Sequence, residues 1–265
     1  MKMRKIGVLY ICTGKYSIFW KTFYQSCEEY FLPEYEKHYF VFTDDTSIVE
    51  TDYIHVKSES AKGFPLDSLL RFDMFLSIKN QLSMMDYIYF FNSNMRLIDE
   101  IGSEILPTSV TSGLVAVIHP GYFNQKSKYF PYERSKHSTA FIKYNPDQIY
   151  NYFMGSLNGG RTNDYLKLAQ VCSDNIHRDM KNGIMAIYHD ESHLNNYLQD
   201  KDVLKISPAF AFPEDSLLPF DPKIIILNKM KHGGEYFDKL PAKAYGLRIY
   251  LKIKRLYFSI IWKFQ

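Results

Sequence analysis

Short apolar runs alternate with amphipathic stretches along most of the chain, a pattern typical of an α/β domain with a largely parallel sheet. The apolar runs predict strands at residues 6–12, 39–43, 53–56, 87–91, 114–118, 150–154 and 223–227. Apolar positions at helical spacing predict helices at residues 17–31, 66–81, 163–182 and 191–198. Gly183 after the third helix suits a C-terminal cap, and Asp190 before the fourth suits an N-cap.

The composition narrows the class of protein. A chain of 265 residues that is 46% hydrophobic and 17% aromatic can bury a large core, which excludes disorder as its main state. Its formal net charge of +3 is far below that of a typical nucleic-acid binder, so no nucleic-acid partner is expected. The three cysteines form no CxxC pair, and their odd number indicates a reducing compartment.

The C-terminal segment differs in charge from the rest of the chain. Residues 243–265 hold basic and no acidic side chains, which leaves residues 1–242 faintly acidic. We predict one domain over residues 1–242 and a basic amphipathic helix after it. Between residues 244 and 263 the apolar and basic side chains fall on separate faces, so this helix packs on its own domain, on a second subunit or on an anionic membrane surface. No run reaches the roughly 20 apolar residues that span a bilayer.

Three small polar residues, Asn92, Ser93 and Asn94, directly follow the predicted strand 87–91. Open α/β sheets place ligands at the carboxyl ends of their strands, and asparagine amides can bond phosphate or sugar oxygens. A plain turn explains the same residues, because Asn and Ser favour turns. On these residues alone, a turn is the better interpretation.

Acid–base side chains cluster at residues 189–195, HDESHLN, where a helix is predicted to begin. Burying such groups unpaired costs several kcal/mol, so a cluster of this kind usually faces a cleft. His189 and His193 at i, i+4 suggest zinc, but the metalloprotease pattern needs Glu directly after the first His, where Asp190 stands. The interpretations are a zinc hydrolase, a surface helix cap and, favoured here, a catalytic carboxylate in a sugar or phosphate site.

Further polar residues stand in apolar surroundings. His119 follows a predicted strand, and Arg71 lies within a predicted helix. The stretch 154–160, MGSLNGG, permits close backbone approach, although a Gly-Gly pair is more often a turn. Lys229 and Lys231 add cations after the last predicted strand, where an ordinary solvated loop is the simpler interpretation.

Taken in order, these segments resemble the family 6 retaining glycosyltransferases, the group that contains the histo-blood-group A and B transferases and the α-1,3-galactosyltransferases. The resemblance covers residues 6–231, and its most specific part is the HDESHLN signature at 189–195. Supporting matches are the YVFTD-like strand at 39–44, His119-Pro120, Tyr132-Glu133-Arg134 and Ile206-Ser207-Pro208.

The resemblance implies a GT-A fold over residues 1–242, with a uridine diphosphate sugar as the donor. It also implies α-1,3 transfer of galactose or N-acetylgalactosamine (GalNAc) onto a β-galactoside, fucosylated at O2 for the blood-group enzymes. By motif, the donor-binding residues are Ile11, Cys12, Thr13, Tyr16, Arg71, Asn92, Ser93, Asn94, Met154, Gly155, Ser156, Asp190, Lys229 and Lys231. The acceptor-binding residues are His119, Glu133, Tyr188, which replaces the usual tryptophan, and Glu191.

One departure from the family pattern bears on the metal. Asn92-Ser93-Asn94 stands where the animal enzymes have Asp-x-Asp, whose two carboxylates hold Mn²⁺ at the donor diphosphate. Hard divalent cations need anionic oxygens, and two neutral amides remove two charges. We therefore expect transfer with no metal or other cofactor, with both asparagines bonding the donor directly. Candidates to stabilise the departing diphosphate are Arg71, Lys229 and Lys231.

Glu191 corresponds to the family's essential carboxylate, which either attacks C1 of the donor sugar or stabilises an ion-pair-like transition state. Small, hydroxylated Ser156 favours GalNAc as the donor sugar, while Met154 resembles the galactose-using pattern. The alternative function is an inactive protein that binds a sugar nucleotide or a glycan. Because there is no room for an anchor before the first strand, we expect a bacterial, cytoplasmic enzyme, held at the inner membrane face if residues 244–263 bind anionic lipid.

Overall fold

In the computed structural model, residues 3–233 are described, and they form an α/β structure with two sheets. The strands are β1 (Lys5–Ile11), β2 (Glu36–Thr43), β3 (Ile54–Ser58), β4 (Tyr87–Phe91), β5 (Met95–Leu97), β6 (Leu114–Ile118), β7 (Phe153–Arg161), β8 (Leu204–Ile206), β9 (Phe212–Pro213) and β10 (Ile224–Ile226). The helices are α1 (Trp20–Tyr30), α2 (Leu66–Leu69), α3 (Arg71–Ser77), α4 (Lys79–Leu82), α5 (Thr162–Lys181), α6 (His189–Leu198) and α7 (Lys229–His232). Short 3-10 segments occupy Gly14–Phe19, Ser103–Ile105, Ser127–Tyr129 and Pro208–Ala211.

The main sheet has seven strands in the order β3-β2-β1-β4-β7-β6-β8. Strand β7 runs antiparallel to both of its neighbours, and the other pairs in this sheet are parallel. A small sheet joins β5, β10 and β9. The predicted α/β class with a largely parallel sheet is therefore confirmed.

Both faces of the main sheet are covered, as the residues of β1 show. Tyr10 belongs to the core on the α1 side, where its ring stacks on Phe23 at 4.4 Å between centroids. Leu9 belongs to the opposite core, which includes Phe75 of α3 and Tyr165 of α5. Because neither face meets water, these strands consist of continuous apolar runs rather than alternating ones.

The predicted helix 66–81 is three short helices, α2, α3 and α4. The backbone leaves the helical region at Leu70 and again at Ile78. Apolar residues on either side of these breaks, such as Leu69 and Phe72, still reach the same core, so the periodicity continues across them. The breaks matter for the site because they make Arg71 the first residue of α3.

Strand β7 is the largest departure from prediction. The strand predicted at 150–154 is wrong in position, because β7 continues through the glycine-rich stretch that suggested a turn. A Cβ on Gly159 would lie 2.5 Å from the Ile88 carbonyl oxygen, and one on Gly160, where φ is +148°, would lie 2.2 Å from that of Gly113. These glycines allow β4 and β6 to approach β7, so the inferred close backbone approach occurs within a strand.

The two predicted helix caps have different outcomes. Gly183, with φ of +68°, follows α5, and the N–H of Ile184 donates to the Asp179 carbonyl at 2.8 Å, as in a Schellman cap. The predicted N-cap at Asp190 is wrong. Helix α6 begins at His189 with Tyr188 as its N-cap, so Asp190 lies in the first turn.

The three cysteines, Cys12, Cys27 and Cys172, are buried and unpaired. Between residues 3 and 233, the helices lack either the length or the apolar composition needed to cross a membrane. The predicted amphipathic helix at 243–265, with its proposed membrane face at 244–263, and the domain boundary at 242 lie outside the described residues.

Candidate functional site

A cleft of about 390 Å³ opens at the carboxyl ends of β1 and β4. The residues that line it are Ile11, Thr13, Gly14, Lys15, Tyr16, Ala61, Gly63, Phe64, Asp67, Ser68, Arg71, Phe90, Asn92, Ser93 and Lys229. This is the edge at which open α/β sheets bind ligands. The predicted donor-binding residues that meet here are Ile11, Thr13, Tyr16, Arg71, Asn92, Ser93 and Lys229.

Cys12 is a predicted donor contact that the structure does not place in the cleft. Its side chain is fully buried, and burial raises the pKa of the thiol to about 12. Its backbone N–H donates to the Phe42 carbonyl at 2.9 Å, and its carbonyl accepts from Thr43 Oγ1 at 3.1 Å. Cys12 therefore joins β1 to β2 within the core, and its contact with the donor stays a prediction.

The triplet that follows β4 divides into two roles. Asn92 and Ser93 line the cleft. Asn94 is 4% exposed, and its Nδ2 donates to the Leu227 carbonyl at 2.8 Å while its own carbonyl accepts from the Leu227 N–H at 2.8 Å. Its amide nitrogen thus holds the segment that leads to α7, and a bond from Asn94 to the donor stays a prediction.

The two lysines of α7 have different surroundings. Lys229 lines the cleft, with its Nζ 4.6 Å from the Tyr16 ring centroid and 3.3 Å from the Tyr16 hydroxyl. Lys231 points elsewhere and forms an exposed ion pair with Asp215. In this conformation Lys229, and not Lys231, is the lysine of the donor cleft.

Arg71 connects the cleft to buried groups behind it. Its Nη2 lies 2.7 Å from Asp190 Oδ2, and its Nη1 donates to the Gly155 carbonyl at 2.7 Å. The guanidinium also stacks over the Phe90 ring at 4.5 Å from the centroid. Burial raises the pKa of Asp190 to about 7, while the positive charge of Arg71 opposes that rise. The pair is buried, so each charge depends on its partner rather than on water.

Glu191 lies in the first turn of α6 and is held by one residue just before β7 and one within it. Its Oε1 accepts from the Tyr152 hydroxyl at 2.5 Å, and its Oε2 accepts from the Gly155 N–H at 2.7 Å. Burial raises the pKa of Glu191, and these two hydrogen bonds oppose the rise. Since Gly155 also bonds Arg71, the Glu191 carboxylate and the Arg71–Asp190 pair belong to one network.

The predicted donor-sugar residues Met154, Gly155 and Ser156 lie beside this network. Met154 is half-buried, whereas Ser156 is 2% exposed and its Oγ has no hydrogen-bond partner. Buried hydroxyls are usually bonded. Ser156 Oγ therefore has hydrogen-bonding capacity that none of the described residues uses.

Two of the predicted acceptor contacts lie close to Glu191. The half-buried ring of His119 packs 5.7 Å from that of Tyr152, and its Nδ1 accepts from the Gly121 N–H at 2.9 Å. Tyr188 immediately precedes α6 and is half-buried. Both residues therefore border the groups that hold the catalytic candidate.

Glu133, the remaining predicted acceptor contact, is 2% exposed. Its Oε1 accepts from the N–H groups of Arg134 and Ser135 at 2.9 and 2.7 Å, and its Oε2 from the Ile187 N–H at 2.7 Å. This carboxylate is occupied by backbone donors and fastens the segment ahead of α6. Its contact with the acceptor stays a prediction.

The histidines of the HDESHLN segment do not form a zinc site. The His189 ring packs edge-to-face on Phe64 at 5.1 Å. His193 is buried with its Nε2 3.8 Å from Asp179 Oδ2, and burial lowers its pKa to about 4. Within residues 3–233, no three His, Cys, Asp or Glu side chains come together to hold a metal ion.

The side chains of the cleft do not suit a divalent cation at a diphosphate. Among its lining residues the one carboxylate is that of Asp67, which accepts from the Lys62 N–H at 2.7 Å. Hard cations need several anionic oxygens, and the end of β4 offers neutral amides and a hydroxyl. The cations that line the cleft are Lys15, Arg71 and Lys229.

Sequence reasoning missed Tyr152 and Asn195, both of which bond Glu191. Tyr152 fell within a predicted apolar strand, and Asn195 within a predicted helix. Neither position breaks its pattern, because tyrosine suits a strand and a single asparagine is tolerated in a helix. Position within the HDESHLN signature was the one signal that pointed to Asn195.

The amino-acid sequence matches a family of known proteins. The model of glycosyltransferase family 6 matches residues 1–233. The chain is 38% identical over 226 residues to the O-antigen biosynthesis glycosyltransferase WbnI of Escherichia coli, covering 84% of this chain and 94% of that protein. It is 29% identical to globoside alpha-1,3-N-acetylgalactosaminyltransferase 1 of Gallus gallus, covering 84% of this chain and 65% of that protein. It is also 29% identical to histo-blood group ABO system transferase 2 of Rattus norvegicus, at 80% and 64%. The chain thus spans somewhat under two thirds of these two animal relatives.

Proposed function

The chain belongs to glycosyltransferase family 6, and we propose that it transfers GalNAc from uridine diphosphate to O3 of a β-galactoside, with retention of the α anomer and without a divalent metal. Galactose is the alternative donor sugar, and a fucosylated galactoside is the favoured acceptor. As a glycosyltransferase it binds a sugar-nucleotide donor and an acceptor. Its mostly parallel seven-stranded sheet is consistent with the GT-A fold of the family.

The placement of Glu191 carries the proposal. Its carboxylate is held by Tyr152 and Gly155, next to the Arg71–Asp190 pair that reaches the cleft. A fixed negative charge of this kind stabilises the positive charge that develops at C1 of a sugar as its leaving group departs. A protein that merely binds glycans gains nothing from an acid held in this way.

Retention of the anomer follows from attack on the face that the diphosphate leaves, or from two displacements through a glycosyl-enzyme. In either route the bond from C1 to the β-phosphate oxygen breaks, and its electron pair leaves with uridine diphosphate. In the first route the acceptor O3 then bonds C1 directly, and in the second Glu191 bonds C1 first and the Glu191–C1 bond breaks as O3 attacks; in both, the proton of O3 passes to an oxygen of the diphosphate. Both routes need the Glu191 side chain ionised, which the hydrogen bonds from Tyr152 and Gly155 favour.

The charges of the cleft support transfer without a metal. Lys229 and Arg71 both line the cleft and supply positive charge to a leaving diphosphate. Asn92 and Ser93 offer it neutral hydrogen-bonding groups. In this proposal Lys229 takes the part assigned from the sequence to either lysine of α7.

The choice of donor sugar rests on Ser156. Its buried, unpartnered Oγ suits the acetamido group at C2 of GalNAc, which both accepts and donates hydrogen bonds. A site built to bond such a polar group discriminates against an analogue that lacks it more strongly than pocket volume does. Galactose, with a hydroxyl at C2, would leave part of this capacity unused.

The proposed acceptor setting is a bacterial surface polysaccharide. The support is the similarity to a relative whose name places it in O-antigen biosynthesis and 94% of which this chain covers. We propose that a growing chain of this kind, ending in a β-galactoside, is the substrate. A basic segment at 244–263 would then bring the enzyme to the membrane at which such lipid-linked chains are made.

A transfer assay tests the proposal. The purified chain is given UDP-GalNAc or UDP-galactose with a β-galactoside, with and without fucose at O2, in the presence and absence of EDTA. We expect faster transfer from UDP-GalNAc, an α-1,3 linkage by NMR, and turnover unchanged by EDTA. Slow hydrolysis of the donor without acceptor is also expected.

Each part of the proposal has its own contrary result. Activity that vanishes in EDTA and returns only with Mn²⁺ would overturn metal independence. Equal or faster use of UDP-galactose would overturn the donor assignment. Donor binding with neither transfer nor hydrolysis would indicate an inactive binding protein.

A further inference from the structure

Asn195 makes a set of hydrogen bonds that joins α6 to β7. Its Oδ1 accepts from the Phe153 N–H at 2.9 Å, and its Nδ2 donates to the Phe153 carbonyl at 2.8 Å. The same Nδ2 donates to the Glu191 carbonyl, one turn earlier in the helix, at 2.9 Å. Asn195 is 2% exposed, and both of its N–H donors are used.

These bonds lie between the two groups that hold the Glu191 carboxylate. Tyr152 directly precedes Phe153 and donates to Glu191 Oε1, and Gly155 follows two residues later and donates to Oε2. Asn195 thus ties the helix that carries the carboxylate to the first residue of β7, which lies between the two donors Tyr152 and Gly155. The bonds to Phe153 therefore set the distance between α6 and β7 at the point where Glu191 is held.

The sheet by itself leaves this part of β7 incompletely fixed. The register between β6 and β7 shifts between Ala116 and Ile118, and Ile118 pairs with Phe153 on the far side of that shift. Pairing with β4 begins at Leu157, and just beyond β4 the Asn92 N–H donates to the Ser156 carbonyl at 2.8 Å. Residues 154 and 155 therefore have no register partner in β4 or β6, and Gly155 is the residue that bonds both Glu191 and Arg71. A side chain that bonds both backbone groups of Phe153 takes the place of a strand neighbour.

We propose that Asn195 is a positioning residue that acts through Glu191. By fixing α6 against the start of β7, it keeps the carboxylate within reach of both Tyr152 and Gly155. Asparagine suits this task because it combines an acceptor with donors in one planar group of this length. The inference rests on the catalytic role proposed for Glu191. It adds that this role depends on Asn195, which acts on the reaction only through Glu191.

Asn196 provides a matched control. It is the next residue of α6 and the same residue type, and its Nδ2 also donates to a backbone carbonyl, that of Phe141, at 2.9 Å. It makes no bond to β7. A general loosening of α6 should affect both positions, whereas the proposed positioning role belongs to Asn195.

The experiment compares Asn195→Ala, Asn195→Asp, Asn196→Ala, Tyr152→Phe and the Asn195→Ala/Tyr152→Phe double variant with the wild type. We expect Asn195→Ala to lower kcat by about 10²-fold, because misplacement of a catalytic group by about 1 Å has an effect of this size. The affinity for UDP-GalNAc by calorimetry should change by less than about threefold, and Asn196→Ala should stay within about twofold in both. Asn195→Asp keeps the size and the acceptor but loses the N–H donors, so it lowers kcat even if the alanine variant does not fold.

The double variant separates positioning from a merely structural role. If both residues act through Glu191, their effects on kcat are not multiplicative, and the double variant falls close to Asn195→Ala alone. Effects that multiply, an equal loss at Asn196, or a kcat within threefold of wild type for a folded Asn195→Asp variant would each overturn the proposal.

A second readout does not depend on turnover. In ¹³C NMR titrations of the Glu191 carboxyl in the full chain, loosening its two hydrogen bonds should raise its pKa in Asn195→Ala, which adds no charge, relative to wild type. An unchanged titration would contradict the positioning role. If instead the wild type shows no transferase or hydrolase activity, the proposed function fails, while this titration still decides whether Asn195 positions Glu191.

Discussion

The two sides of the candidate site are built differently. At the ends of β1 and β4, the side chains of Asn92, Ser93 and Lys229 line a cleft of about 390 Å³. Where β7 meets α6, Asp190 is 3% exposed and both oxygens of Glu191 already accept hydrogen bonds. The cleft side has polar groups that a ligand can contact. On the α6 side, the protein itself supplies the hydrogen-bond partners of the Glu191 carboxylate.

This difference has a physical reason. Groups that bind a diphosphate need only reach it, because the ligand itself completes their hydrogen bonds. A carboxylate that stabilises charge at a reacting carbon must be held before the reaction, since reorienting it during the reaction would add to the barrier. Arg71 belongs to both sides, as it lines the cleft and pairs with Asp190. Substitutions on the two sides should therefore affect different kinetic constants.

The largest effect is expected on the preorganised side. Glu191→Gln removes the charge at nearly constant shape, and we expect kcat to fall by about 10²- to 10³-fold, the range for loss of one electrostatic contact to a transition state. Donor affinity should change by less than about threefold, since the residue stabilises charge that is absent from the bound substrate. Steady-state kinetics and donor calorimetry measure the two. A kcat within tenfold of wild type would remove Glu191 from the mechanism.

On the cleft side, Lys229→Ala should lower kcat/KM by about 10- to 10²-fold, because a charge-assisted hydrogen bond to a phosphate is worth about 1.5–3 kcal/mol. Lys231→Ala is the matched control, as that lysine pairs with Asp215 at the surface. Its kcat/KM should stay within about twofold of wild type. A larger loss at Lys231 would mean that its ion pair opens when donor binds and would reverse the assignment.

The Arg71–Asp190 pair predicts a dependence on pH. With a pKa of about 7, Asp190 gains a proton as the pH falls through neutrality, and Arg71 then loses its counter-charge. We expect kcat/KM to fall about tenfold between pH 8 and pH 6, as one group titrates. Asp190→Asn should be less active and lack this limb. The same limb in the variant would assign the titration to another group.

The smallest of these effects is expected for Tyr152→Phe. This variant loses the hydroxyl that donates to Glu191 Oε1, one of the two hydrogen bonds to the carboxylate. The Gly155 N–H bond to Oε2 remains. We expect kcat to fall about threefold to tenfold, and the acid limb that reports Glu191 to move to higher pH, because the lost bond opposed the rise in its pKa. Tyr150→Phe is the control, because Tyr150 packs against the same aromatic cluster as Tyr152 while its hydroxyl bonds the Asn145 N–H and the Lys143 carbonyl. This variant should leave that limb in place. Equal shifts in both variants would argue against a specific bond.

Much of the donor side could be predicted from the sequence, and less of the interior. Asn92 and Ser93 follow an apolar strand, and the ends of parallel strands meet at one edge, so their location was predictable. Cys12 and Asn94 adjoin cleft residues along the chain, yet both are committed to backbone partners, Phe42 and Leu227. Spacing along the chain does not reveal whether a polar group is already bonded.

Strand β7 shows that local residue preference can also fail to predict secondary structure. Glycine has low intrinsic preference for strands, so the stretch around Gly159 predicted a turn. Its actual conformation depends on β4, whose Ile88 carbonyl comes so close that a side chain cannot fit between the strands. Local preference is a property of one segment, while this strand exists because of its neighbours.

By itself, the sequence determined the α/β class, the edge of the sheet at which a ligand is expected, and the candidacy of Glu191 within its signature. Hydrophobic periodicity and motif spacing carry these, because both are properties of neighbouring positions on one chain. Only the tertiary structure decided that Tyr152 and Gly155 hold that carboxylate, that Arg71 pairs with Asp190, and that the lysine in the cleft is Lys229. Hydrogen bonds and ion pairs of buried groups are short and directional, so they depend on distances between segments that lie far apart in the sequence.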